Sequence, residues 1–314
     1  MSARRTPEYI LIFYLYLTKD RDVIDQMLAV ASQIYADKDR ARLTTDIEFV
    51  NKLRSKSPDV LLERNNIDTN RDEYRSSMDA AERGRSEQNA LERTEYDHNI
   101  SDGLKIEFAF KSLQVMGQVV KNFPLDLKGD LKLELTKQSY ELTLRTLRTF
   151  LSIVEQNVSE LVILFENALK VLQPFSKKSP EEIRDVSQAT MVRLTELCIF
   201  GMIKRLSLAI GVVDLKETYH RVREIAGEAD VPTRLIDLSI KLDHFGQIPE
   251  SDVKDLEHRL RGNFTAYTIL KLLVAQFLHL FPCDYKTEQR MVELFKFQPH
   301  VPKLSDKKVK KLLN

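Results

Sequence analysis

The sequence predicts an all-α fold, an array of antiparallel helical hairpins that is either α-solenoid-like or an irregular helical bundle. Three observations carry this. Nine glycines and ten prolines in 314 residues are too few for an all-β chain, which needs a turn every ten residues or so. Apolar residues recur at one-face helical spacing. Helix starts with Ser, Asn, Asp or Pro and stops at Gly alternate along the second half.

Taken in order, Thr6-Pro7-Glu8 opens a short apolar helix running to Tyr16. A second helix is expected over 21–37, where Val23, Ile24, Met27, Leu28, Ala31, Ile34 and Tyr35 share a face. Thr45 with Glu48 reads as a capping box ahead of Ile47, Val50 and Leu53. Residues 63–102 differ. Seventeen of the forty are charged, every cation is Arg, and Tyr74, Met78 and Ala81 form only a thin stripe. That composition predicts a solvated, partly helical connector with a break near Gly84.

From Leu104 the helical signal strengthens. One helix runs over 104–123 and stops before Pro124; another covers 130–155. Asn157 with Glu160 reads as a capping box for 158–173, and Ser179-Pro180-Glu181-Glu182 as a third helix start. The helix that follows stops at Gly211. Asp214 with Glu217 opens the next, and stretches from Pro232 and Pro249 end at Gly246 and Gly262. Residues 264–281 are the most apolar stretch and raise a membrane reading by length. Thr265, Thr268, Lys271, Gln276 and His279 interrupt it, so a buried core helix with one polar stripe is the expectation, with no membrane partner. A terminal helix covers 284–297, and the tail carries Lys303, Lys307, Lys308, Lys310 and Lys311. The expected organisation is an N-terminal helical bundle over 1–62, a charged connector over 63–103, a main helical domain over 104–300 and a basic tail over 301–314.

Charge is nearly balanced, 48 cations against 47 acids, so no global field points to nucleic acid or an anionic membrane. The basic tail is the one place where nucleic acid or an acidic partner could touch. Cys198 and Cys283 are too few for a disulfide framework or a four-cysteine zinc site, and their apolar neighbours suggest buried thiols. The apolar stretch 9–17 is followed by Thr18-Lys19-Asp20-Arg21-Asp22 in place of a small-residue cleavage site, which reads as cytoplasmic.

Phosphate-binding loops need glycines whose bare amides wrap the phosphate, and neither G-x-x-x-x-G-K-S/T nor G-x-G-x-x-G occurs. Neither H-E-x-x-H nor G-x-S-x-G occurs. The sequence thus gives no cofactor-binding and no metal-ligating residues. His279 reads as a satisfied core histidine; His220 and His258, in charged stretches, read as surface residues. One catalytic pattern remains. Arg93-x-x-x-x-His98 has the spacing of the helical ribonucleases of the HEPN class, in which Arg stabilises charge on RNA phosphate and His does acid–base work. Six histidines among many arginines give about one such match by chance, and no amphipathic face surrounds this pair.

Four stretches carry a family resemblance. They are Thr6-Pro7-Glu8-Tyr9-Ile10 through Leu15-Tyr16-Leu17-Thr18-Lys19-Asp20; Lys121-Asn122-Phe123-Pro124 with Leu127-Lys128-Gly129-Asp130-Leu131-Lys132; Leu235-Ile236-Asp237-Leu238-Ser239-Ile240-Lys241-Leu242-Asp243; and Phe281-Pro282-Cys283-Asp284-Tyr285-Lys286. They resemble the helical region that follows the nucleotide-binding module in bacterial NTPases of the STAND/NACHT class. The resemblance implies a helical sensor or structural part whose partner is an NTPase module or another copy of itself, in a class with members in phage defence. That class's P-loop and acidic metal-binding motif have no counterpart here, so no site residue carries over. The leading expectation is a non-enzymatic interaction and scaffolding module. The alternatives are an RNA-processing enzyme using Arg93 and His98, and a membrane-associated protein anchored through 264–281.

Overall fold

The computed structural model describes residues 14–15, 18, 20–53, 60–62, 67–88, 102–123, 127–171 and 178–299. The fold is all-α, with one two-residue strand pair as its only sheet among those residues. The expected helix over 6–16 falls largely outside them.

Helix α1 (Arg21–Gln33) begins at Asp20, whose side chain accepts from the Asp22 amide, and buries Ile24, Leu28 and Ala31 against the two long helices α4 and α5 described below. The chain then turns through Tyr35 and Leu43, both in left-handed backbone at φ 55° and 51°. A branched side chain pays for that conformation only where packing fixes it, and Leu43 is fully buried. The Thr45/Glu48 capping box is not formed. Thr44 occupies the cap position without a side-chain bond, and the Asp46 carboxylate instead accepts from the amides of Arg42 (2.8 Å) and Thr44 (3.1 Å). A short 3-10 turn there leads into α2 (Glu48–Leu53). Strand β1 (Leu61–Leu62) and α3 (Ile67–Gln88) follow. Helix α3 continues through Gly84, so the expected break is absent.

The main helices are α4 (Asp102–Asn122), α5 (Gly129–Gln156), α6 (Val158–Lys170), α7 (Pro180–Ile210), α8 (Lys216–Ala226), α9 (Val231–His244), α10 (Glu250–Leu260), α11 (Phe264–Leu280) and α12 (Tyr285–Phe295). Strand β2 (Gln298–Pro299) closes the described chain, pairing in parallel with β1. Consecutive helices pack pairwise, α4 with α5, α6 with α7, α10 with α11. These pairs close around α7, which touches α2, α4, α5, α6, α9 and α11. Contacts between elements so distant in sequence are those of an irregular bundle; a solenoid's repeats touch only their neighbours. Helix α7 buries Ile183, Met191, Val192, Ile199, Met202, Ile203, Leu206 and Ile210 on several sides, as an interior helix must.

The separate N-terminal bundle expected over 1–62 is not what the packing shows. Ile24, Leu28, Ala41, Leu43, Ile47 and Val50 belong to the same apolar core as Leu113, Leu147, Ile203 and Leu273. Polar bonds fix the join. The Ala41 amide donates to the Leu144 carbonyl (3.0 Å), Asn263 Nδ2 to the Leu43 carbonyl (2.7 Å), and the Thr265 amide and hydroxyl to Asn51 Oδ1 (3.0 and 2.8 Å). Local periodicity found these helices but holds no information about partners two hundred residues away. The connector is likewise tied down at its start: Asn70, almost fully buried, donates to the His279 carbonyl (3.1 Å) and meets its Nδ1 (3.2 Å).

Helix α4 lies tight against α7 at Gly117. A Cβ built there would lie 2.6 Å from the Ala209 carbonyl oxygen and 2.9 Å from its Cβ. Gly117→Val is therefore expected to destabilise the fold by about 1–3 kcal/mol through overpacking. Gly201→Ala, where an added Cβ meets nothing within 4 Å, should gain roughly 0.5–1 kcal/mol, the usual mid-helix effect. Urea denaturation of the two variants checks the opposite signs.

Candidate functional site

Arg93 and His98 lie outside the described residues. His300 lies outside them too, and the remaining histidines are placed. His220 and His258 are exposed, as their charged surroundings imply, and His220 pairs with Glu224 (3.3 Å). His279 is half-buried and bonded to Asn70. Cys283 is half-buried, whereas Cys198 is exposed on α7 rather than buried. Partial desolvation of the sulfur, at Cys198 despite the residue's overall exposure, pushes both thiols above the ordinary value, which leaves them weak nucleophiles. Among the described residues no group of three or more His, Cys, Asp or Glu side chains could hold a metal ion.

The most concentrated polar chemistry surrounds α9. Asp230 caps this helix by accepting from the Thr233 amide (3.1 Å), and ten of its fourteen residues are buried, among them Arg234 and Asp237. Buried charges persist only when paired, and each here has partners on a neighbouring helix. Arg40 reaches Asp230 (2.8 Å), Thr233 (2.8 Å) and Glu141 of α5 (2.9 Å). Arg223 of α8 meets Glu228 (3.0 Å) and Asp237 (3.6 Å). Lys241 bridges Asp237 (2.8 Å) and Asp252 of α10 (2.7 Å), and Arg234 reaches Asp255. Burial works against the charges on Arg223 and Lys241, yet the adjoining carboxylates overcome it and raise both pKa values. Arg234 beside Asp255 holds that carboxyl below the usual range.

A second cluster joins the ends of α7 and α9. Lys204 pairs with Asp243, whose other oxygen accepts from Ser207 (2.7 Å) and Ser239 (3.3 Å). His244 Nε2 lies 3.1 Å from the Ser207 carbonyl. Its ring sits where a side chain on Gly211 would stand, with ring atoms 2.2 Å from a Cβ built there. Lys121 of α4 donates to the Leu208 carbonyl (3.3 Å). Burial lowers the pKa of Lys204 despite Asp243, and burial lowers that of Lys121. A lysine of lowered pKa beside a serine and a carboxylate suggests base chemistry, but Ser207 is fully buried and its hydroxyl is committed to Asp243. The cluster locks two helices together; it offers a substrate no approach to the hydroxyl.

His244 carries a pH dependence. Burial lowers its pKa from the ordinary 6.5; Lys121 and Lys204 lower it further, and Asp243 opposes them. Its charged form is thus penalised in the folded protein. The penalty is absent above pH 6.5 and grows as pH falls through that value, until the folded protein also binds the proton. His244→Gln should flatten the loss of stability just below pH 6.5 and leave stability at pH 8 little changed. Urea midpoints against pH read this out.

The apolar stretch in α11 is a core helix, as the sequence implied. Gln276 bonds Tyr74 but leaves its Oε1 buried without a hydrogen-bond partner, and the other four interrupting polar residues each have a protein contact. Thr265 bonds Asn51, Thr268 donates to the Phe264 carbonyl (2.9 Å), Lys271 lies 5.4 Å from the Phe297 ring centroid, and His279 meets Asn70. Among the described residues one helix, α7, is long and apolar enough to cross a membrane, and it carries buried Glu196 and Lys204 inside the bundle.

The remaining distinctive surface is α6. Its inner face packs on α7 through Val162, with Val158, Leu161 and Phe165 around a small core shared with Val154 and Met191. Its outer face exposes Ile163 (55%), Leu164 (61%) and, just past its end, Val171 (81%). The expected cap at its start is absent. Asn157 Nδ2 donates backward to the Ile153 carbonyl (2.7 Å), closing α5, and Glu160 is left at the surface. No protein-family model, curated protein or solved structure matches the chain.

Proposed function

We propose that the chain is a non-enzymatic helical interaction and scaffolding module, the sensor or structural part of a STAND-type NTPase system in bacterial defence. The observation that supports this reading is the two-faced α6, apolar toward α7 and apolar again toward solvent. A surface helix normally turns a polar face outward, and a contiguous exposed apolar patch marks a contact site. The buried charges of α9 fit a scaffold as well, because Asp237–Arg223, Lys241–Asp252 and Arg234–Asp255 each tie one helix to another. In this reading nucleotide chemistry belongs to a separate P-loop protein in the same cytoplasm.

Co-expression of the tagged chain with the P-loop NTPase encoded next to it tests the proposal. The expected result is a stoichiometric complex that survives gel filtration. A neighbourhood with no P-loop frame, or two proteins that elute separately, overturns it.

A further inference from the structure

We propose that the outer face of α6 is a self-association surface, occupied by the α6 of a second copy of this chain running antiparallel. The inference rests on the interaction-module reading and names the partner of this one face.

The ground is charge complementarity laid over the apolar stripe. At 100° per residue, Glu160, Ile163, Leu164, Asn167, Lys170 and Val171 fall on one side of the helix, in the spacing of coiled-coil seam and flanking positions. All six are exposed. The acid stands in the first turn and the base in the last, and among the described residues no ion pair engages either. Residue 165 lies midway between them. Two copies related by a two-fold axis there place Glu160 of each opposite Lys170 of the other, with Ile163 facing Asn167 across the seam and Leu164 beside the axis. A parallel pair would set Glu160 against Glu160 and Lys170 against Lys170. The antiparallel arrangement also opposes the two helix dipoles. A two-fold contact is self-complementary, so one favourable charge placement counts twice.

The seam is short. Thirteen helical residues span about 20 Å, which puts the contact at the small, transient end of interface sizes. Association should therefore be weak and concentration-dependent.

Sedimentation velocity of the full chain from roughly 10 µM to 1 mM, a range that brackets weak contacts, tests this. The wild type is expected to shift from monomer to dimer. Glu160→Lys alone and Lys170→Glu alone should each weaken the dimer by about tenfold, since two attractions become two repulsions. An equimolar mixture of those two variants should re-form a dimer at wild-type concentrations, because each restores the opposite charge to the other. Ile163→Asp with Leu164→Asp should abolish association while the helical circular dichroism is kept. A wild type that stays monomeric throughout overturns the proposal, as does a dimer that both single charge variants leave unchanged. A monomeric chain that still forms the NTPase complex sinks the self-pairing alone; a dimer that binds no NTPase sinks the functional reading alone.

Discussion

Residues 104–300 expressed alone are expected to lose cooperative melting. The helices of that segment reach the length of a domain, but the segment 20–53 fills part of their core. Ile24, Leu28, Leu43, Ile47 and Val50 are all buried in it. Burying each aliphatic side chain stabilises by about 1.5–3 kcal/mol. The five together contribute on the order of 10 kcal/mol, similar to the whole net stability of a typical domain. Removing them also strands Asn263 and Thr265, whose partners are the Leu43 carbonyl and Asn51. A different outcome is expected when the full chain is nicked by trypsin at Arg93, within the charged connector. The two pieces should stay together on gel filtration and keep the helical signal, since their join is noncovalent core. A 104–300 fragment that melts cooperatively near the full-length temperature would refute this and restore a separate N-terminal bundle.

Asp243→Ala is expected to cost about 3–5 kcal/mol, the usual effect of breaking a buried ion pair from one side. The carboxylate serves Lys204, Ser207 and Ser239 together, and burial already lowers the Lys204 pKa with the partner in place. Without it the ammonium must either stay charged in an apolar setting or lose its proton. Lys204→Met alone should be milder, because the remaining carboxylate keeps two hydroxyl donors. The double replacement Lys204→Met with Asp243→Leu should recover most of the loss, as apolar substitutes for buried pairs often do. A double-mutant cycle by urea denaturation measures the coupling. A cost under about 1 kcal/mol for Asp243→Ala, the level of an exposed pair, would show that solvent reaches the cluster.

The helices were legible because their signals are local. Ser179 and Glu182 form the reciprocal cap that their spacing announces, with the Ser179 amide 2.8 Å from the Glu182 carboxylate and the Glu182 amide 3.2 Å from the Ser179 hydroxyl. Asn157 and Glu160 have the same spacing and form no such cap, because Asn157 stands between two helices and its one amide group serves the helix behind it. Residue spacing records the types of group present and not which of two competing partners wins. The charges of α9 were illegible for a related reason. Arg234, Asp237 and Lys241 look like an ordinary solvated face; only the folded chain sets Arg223, Asp252 and Asp255 against them. In the connector Asn70 and Tyr74 face α11, where burial and then Asp243 raise the tyrosine's pKa. The outer face of α6 was visible as residues but not as a surface. Its apolar side chains are one continuous run with the core-facing ones until α7 claims one side.

The bond from Asn263 to the Leu43 carbonyl spans 220 residues, and this separation bears on how the protein is made. A chain is synthesised from its N-terminus at ~5–20 residues per second. Leu43 therefore leaves the ribosome on the order of 10–40 seconds before the residue that holds it in place. During that interval α2, which carries the buried Val50, has no α11 to pack against, and the strand pairing of Leu61 with Gln298 forms later still. Nascent chains of this protein are accordingly expected to depend on holding chaperones for most of their synthesis, and to acquire protease resistance in a single late step.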